Sequence, residues 1–330
     1  LHVFGVNPTN DHRYLLSIGA VLFNRGDFKR YARDFNEEAF WLLGEEGLTR
    51  FRELQRSDSE VNSELFKQGG FAVMRHKDLY MIVDIGGVGR RGLGGHGHCD
   101  TLSFELAVNG RALVVDPGAY VYTSSPVWRN IFRGTAYHNT VMVDNEEMNR
   151  LYEGDFFAMA DDATGILNKW ISTEEYDILD AGHEGYRRLE SPVVHRRIVL
   201  FNKKGGYWVL VDELSTTGEH AYCFHFHLPP STVSEHEAKS FIMKIDGAHV
   251  PNLLVVPFDA TGIDARVLDG WVSESYGKKI SAPVLQFSTI KNGPTILATI
   301  LFPFYGQETP SAEGILSKAS AFVDSVLEEH

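Results

Sequence analysis

Apolar positions in the first third of the amino-terminal stretch recur every three or four residues: Tyr14, Leu15, Ile18, Val21 and Leu22, and then Phe40, Leu42 and Leu43. That spacing predicts helices, the second stopped by Gly44, with a third short one over 48–54. The apolar residues face more than one side, which suits the tail of a larger helical domain better than an independent bundle. From about Gly70 the period changes to two. Alternating runs predict strands over 71–75, 79–85, 103–108, 111–115, 139–143, 194–201, 207–214, 222–228, 253–258, 284–288 and 295–302. Asn109-Gly110 between two such runs predicts a type I′ hairpin, because both central positions need positive φ.

Many short antiparallel strands imply packed sheets, so the fold class expected is mainly β: a helical remnant over 1–65, then a large antiparallel β-sandwich over 66–330. No internal repeat or linker marks the boundary; it rests on the change in period.

Composition narrows the classes. A 330-residue chain with 43% hydrophobic residues can bury a large core, and its longest apolar runs fall far short of the roughly 20 residues needed to cross a bilayer. No membrane insertion is expected. The formal charge of -13 gives no support for nucleic-acid binding, so a polyanionic partner must be met by a local basic patch. Two cysteines, Cys99 and Cys223, make neither a disulfide framework nor a zinc ribbon. The start at Leu1 leads to the expectation of a longer precursor.

Three segments carry candidate chemistry. GLGGHGHCD, residues 92–100, places four glycines and two histidines, His96 and His98, just before a strand. VVDPG brings Asp116 to the end of the strand across the hairpin, and YHNTVMVD puts His138 at the start of another. Two histidines and an aspartate at three strand ends suit a tetrahedral Zn2+ site with one open position. Any one of the 14 histidines is more often a hydrogen-bonded core or surface residue than a ligand, so the pattern carries weight only jointly.

The series HGHCDTLSFEL, ALVVDPGAYVYT, RNIFRGTAYHNTVMVD, AGHEGYRRL and VVHRRIVLF, in this order over residues 70–230, resembles the carboxy-terminal region of the heparinase II/III-like polysaccharide lyase family. The resemblance implies a β-supersandwich preceded by the last helices of an incomplete α/α toroid, with the active site in the cleft between. It implies His98, Asp116 and His138 as zinc ligands, the ion being mainly structural, and His96 as the catalytic histidine. The activity implied is β-elimination on a uronic-acid polysaccharide, glycosaminoglycan or other, in the periplasm or outside the cell.

Such chemistry must neutralise a carboxylate, take the C5 proton and protonate the leaving oxygen at C4. Histidine suits the proton abstraction, and Tyr120 or Tyr122 can serve as acid or base. Arg129 and Arg133 offer fork-shaped donors to a carboxylate or sulfate, with His183 as a further substrate contact. The family's carboxylate-neutralising Asn or His and a catalytic Tyr belong to the toroid; Asn7 has nothing around it to support that role, so the expected partner is the remaining toroid of the parent chain, without which this chain would turn over poorly. Two other readings stand beside this one: an iron-dependent oxygenase using His98, Asp100 and His138, and a non-catalytic module that binds acidic glycans.

Overall fold

The computed structural model describes residues 11–57, 61–89, 95–245, 247 and 249–329; Asn7 and the first part of the glycine-rich segment, 92–94, lie outside the described residues. The chain divides into two compact units, Leu1–Val61 and Asn62–His330.

The first unit holds α1 (Arg13–Phe23), α2 (Gly26–Ala32) and α3 (Glu37–Glu53). Ala20, Ala32 and Phe51 form its small core, packed by Leu16, Val21, Phe28, Phe35 and Leu54. Gly44 breaks α3 with φ 64 and ψ -160, so the two helical segments expected on either side of it are one kinked element. Leu22, Phe23, Trp41 and Leu42 remain exposed.

The second unit runs β1 (Glu64–Phe66), β2 (Phe71–His76), β3 (Leu79–Asp84), β4 (Phe104–Val108), β5 (Arg111–Val114), α4 (Pro126–Arg133), β6 (Val141–Val143), β7 (Ile166–Ser172), β8 (Tyr176–His183), β9 (Val194–Asn202), β10 (Tyr207–Ser215) and β11 (Glu219–His227). There follow β12 (Thr232–Glu235), β13 (Phe241–Lys244), β14 (Asn252–Pro257), β15 (Asp264–Ser275), β16 (Lys278–Asn292), β17 (Thr295–Phe304) and α5 (Ala312–Glu329). Strands β1 to β5 make a meander in chain order, β12-β13-β14-β17-β10-β9-β8-β7 an eight-stranded sheet, and β15-β16-β11-β6 a four-stranded one. Every pairing is antiparallel.

One continuous core joins the three sheets, and alternation along each strand decides what enters it. Trp208, Leu210 and Leu214 of β10 face this core, with Trp208 stacked on Phe201 at 4.5 Å. Tyr207 and Val209 of the same strand point the other way and pack beneath Ile315 and Ala319 of α5. The Asn109-Gly110 turn has φ 51 and 71, as its composition predicts.

Nine of the labelled elements lie where no periodicity pointed to them: α2, β1, α4, β7, β8, β12, β13, β15 and α5. Strand β8 shows why, since all eight of its positions are buried and its two aspartates are satisfied internally. Asp177 pairs with Lys203 at 2.6 Å and Asp180 with Arg196 at 2.7 Å. Burial on both faces erases the alternation by which a strand is read.

Candidate active site and metal centre

The residues singled out above sit where two sheets meet. His98 and Asp100 precede β4, Asp116 follows β5, and His138 enters β6. Asn139 locks these ends together: its amide donates to the carbonyls of Phe104 and Val115, 2.8 Å each, and its Oδ1 accepts the His227 N–H at 2.6 Å. From the eight-stranded sheet, Arg197 donates to the carbonyls of Leu102 and Asn139, both at 2.7 Å, while paired with Asp212. Neither Asn139 nor Arg197 was marked by spacing, because each acts through backbone groups distant in the chain.

His138 is fully buried, and its Nδ1 donates to Asp116 Oδ2 at 2.7 Å. Its Nε2 is buried without a hydrogen-bond partner among the described residues. Donor atoms of His98, Asp100 and His138 all lie within 4.8 Å of one another. The carboxylate in this compact group is therefore Asp100, whereas Asp116, the ligand that the resemblance implies, is held against the other nitrogen of His138.

Electrostatics make the region hungry for a cation. Asp84, Asp100, Glu105 and Asp116 line a cavity of about 210 Å³ together with Phe71 and Phe104. Burial and then the charge of Asp100 push Asp84 up to about 7, and burial raises Asp100 and Glu105 as well. Burial works against ionisation of Asp116 too, but the charge and hydrogen bond of His138 outweigh it and hold this carboxyl at about 2. Burial likewise opposes protonation of His138; Asp116 and Asp100 prevail and raise it, while burial drives His98 down to about 3.

His96 lies apart from this group and is exposed, with Nδ1 3.0 Å from the Tyr122 hydroxyl. The Tyr122 ring stacks with Phe157 and with Tyr276, and the Arg129 guanidinium sits 4.8 Å from its centroid. Tyr120 is not part of this pair. It adopts φ 53 and packs on Trp128 and Phe132, in an aromatic layer beside the site.

The arginines and His183 occupy different places from those expected. Arg129 and Arg133 are buried, not available at a surface. Arg133 donates to Asn130 Oδ1 and to the carbonyls of Ala158 and Asp155, so it braces the loop after β6 instead of meeting a substrate. Arg129 donates to the carbonyls of Phe156 and Gly95 and to His98 Nε2 at 3.0 Å, which makes it an orienting residue. His183 is buried in the core and bonded at both ring nitrogens, to Gly185 N–H and to His195, each at 3.2 Å. It has no substrate-facing nitrogen.

Residues 59–312 match the family model described as Heparinase II/III-like, C-terminal. A heparin-sulfate lyase of Bacteroides stercoris is 26% identical over 243 residues, 71% of this chain and 33% of that protein. A heparin-sulfate lyase of Pedobacter heparinus is 26% identical over 224 residues, 65% and 31% of the two chains. The crystal structure of a heparan sulfate lyase from Pedobacter heparinus superposes with a TM-score of 0.73 at 22% identity, covering 92% of this chain and 43% of that one. The chain thus spans about a third of the length of the curated relatives it matches.

Proposed function

This chain belongs to the heparinase II/III-like family through that carboxy-terminal region, and on that premise we propose that its parent protein is a polysaccharide lyase. The substrate class is an acidic polysaccharide containing uronic acid, cleaved by β-elimination in the periplasm or outside the cell; the relatives named heparin-sulfate lyases support that class. None of the described helices is long and apolar enough to cross a membrane.

The observation that carries the reading is the exposed imidazole of His96 bonded to the Tyr122 hydroxyl. With Nδ1–H directed at the phenol oxygen, Nε2 is left to take the C5 proton of a uronate. The C5–H electron pair becomes the C4–C5 double bond, the C4–O bond breaks, and the Tyr122 hydroxyl protonates the departing oxygen. The Nδ1–H of the resulting imidazolium then passes to the Tyr122 phenolate across the same 3.0 Å contact, and exchange with solvent restores the starting tautomer of His96. Arg129 orients both sides of this machinery, lying against the Tyr122 ring and donating to His98. The groups that neutralise the carboxylate would come from the toroid, as the family resemblance implies.

A zinc ion fits the donor chemistry beside this pair. His98 and His138 would hold it with one carboxylate, Asp116 by the resemblance or Asp100 by the compact grouping. The orphaned His138 Nε2 and the four carboxylates of the cavity support a cation there, and with Arg129 donating to His98 Nε2 the nitrogen His98 would offer is Nδ1. When bound, zinc supplies charge neutralisation and ties the loops before β4 and β6, a structural role. The Asp100 grouping also favours the oxygenase reading, which requires iron instead.

The test is absorbance of the 4,5-unsaturated uronate end released by the full-length protein from a panel of uronate polysaccharides, with metal content measured alongside. About one zinc per chain, lost in His138→Ala together with thermal stability, is expected; Asp116→Asn and Asp100→Asn identify the carboxylate by which one loses the ion. Iron with no unsaturated product would overturn the lyase reading.

A further inference from the structure

The four-stranded sheet carries an arm that the proposed chemistry leaves unused. Strand β16 pairs with β11 only from Val284 onward, so 269–283 of the β15–β16 hairpin extend beyond the sheet. The arm leans on the segment after Asp116: Ser273 N–H donates to the Pro117 carbonyl and Gly277 N–H to that of Tyr120, both at 2.8 Å. Gly118, at φ 83, permits the approach, since a Cβ there would meet the Ser273 carbonyl oxygen at 2.4 Å. The contact brings two residues to the site: Tyr276, 63% exposed and stacked on Tyr122, and Lys279.

Among the described residues, Lys279 is a cation without a counter-charge. Its Nζ lies 3.1 Å from the ring centroid of Trp271 and 3.9 Å from that of Trp128, with Tyr120 at 5.7 Å. Among the described residues no carboxylate pairs with it and no acceptor takes its N–H groups. Ring faces stabilise the charge, yet they leave three directional donors unused. Indole walls also immobilise the usually flexible lysine stem, lowering the entropy lost when the ammonium engages a ligand. In a chain of net charge -13, whose arginines at this site are committed internally, this is the exception that a polyanion can use.

We propose that the arm forms a saccharide subsite in which Lys279, clamped by Trp271 and Trp128, binds the oxyanion of the sugar unit adjoining the one at His96, while Tyr276 stacks on its ring. The oxyanion is a sulfate ester or a uronate carboxylate. The subsite rests on the acidic-glycan reading given above, and binding tests it separately from turnover.

The probes are a sulfated heparan-type oligosaccharide and its desulfated counterpart, titrated into the full chain while the fluorescence of Trp128 and Trp271 is followed at two salt concentrations. Lys279→Ala should weaken binding roughly tenfold and flatten its salt dependence, and Lys279→Arg should restore most of the affinity. A loss confined to the sulfated probe assigns the sulfate; equal loss for both assigns the carboxylate. Circular dichroism and thermal melting establish that the variants fold. If the wild type binds and folded Lys279→Ala binds equally well, the subsite is wrong while the glycan reading stands. If the wild type binds neither probe and yields no unsaturated product, both fall together.

Discussion

Two of the histidine–aspartate pairs in this molecule share one distance and have opposite characters. His138 and Asp116 meet at 2.7 Å, and so do His195 and Asp212. Around His195 every polar atom has a partner: Gly185 N–H donates to His183 Nδ1, His183 Nε2–H to His195 Nδ1, and His195 Nε2–H to Asp212, whose oxygens also accept from Arg197. That chain is closed, with burial pushing both imidazoles below the ordinary 6.5. Around His138 the ring has a buried nitrogen with no partner among the described residues, and a second carboxylate, Asp100, faces it. An open valence, and not the imidazole–carboxylate contact itself, separates a candidate site from core architecture.

The sharpest way to break this contrast is through the exposed histidine beside the open pair. His96→Ala should lower the rate of unsaturated-product formation about 100- to 10,000-fold, the usual range for a lost general base, while the melting temperature and metal content hold. Retention of full activity would remove His96 from the mechanism. Next in size is the cost of opening the closed pair. Asp212→Ala leaves the buried Arg197 uncompensated and should cost about 3–5 kcal/mol in urea unfolding. Asp116→Ala, at a side chain 32% exposed, should cost under about 2 kcal/mol. Equal losses at the two aspartates would make the open pair merely structural.

The smallest effect is in pH, where the two histidines have opposite signs. His195, depressed in the fold, contributes stability above its unfolded value of 6.5 that is lost as pH falls toward the folded value. His138, raised in the fold, contributes stability below 6.5 that is lost as pH rises through its folded value. In chelator-treated protein, His195→Asn should therefore flatten the acid loss of stability by up to about 1 kcal/mol per pH unit, and His138→Asn should flatten the loss as pH rises above 6.5. Urea titrations measure the His195 slope below pH 6.5 and the His138 slope above it; slopes of one sign would overturn the assignment.

Legibility followed the range over which each feature is built. The Asn109-Gly110 hairpin, the helices flanking Gly44 and most alternating strands depend on residues a few positions apart, and they read directly from the pattern. So did the segments bearing His96, His98, Asp116 and His138, since glycine-rich turns and strand ends are local. Strand β8 was hidden because burial on both faces removes its period.

What only the tertiary structure decided is which group faces which. No spacing separates Asp100 from Asp116, or His138 from His195, since each owes its role to partners delivered by other sheets. The arginines were legible as donors but not as donors already engaged, and Lys279 meets the Trp128 ring only because a segment distant in the chain packs there. Period and turn chemistry are properties of neighbouring residues, so the chain alone determines them. Saturation of a hydrogen bond or a charge depends on segments that become neighbours only when the sheets pack.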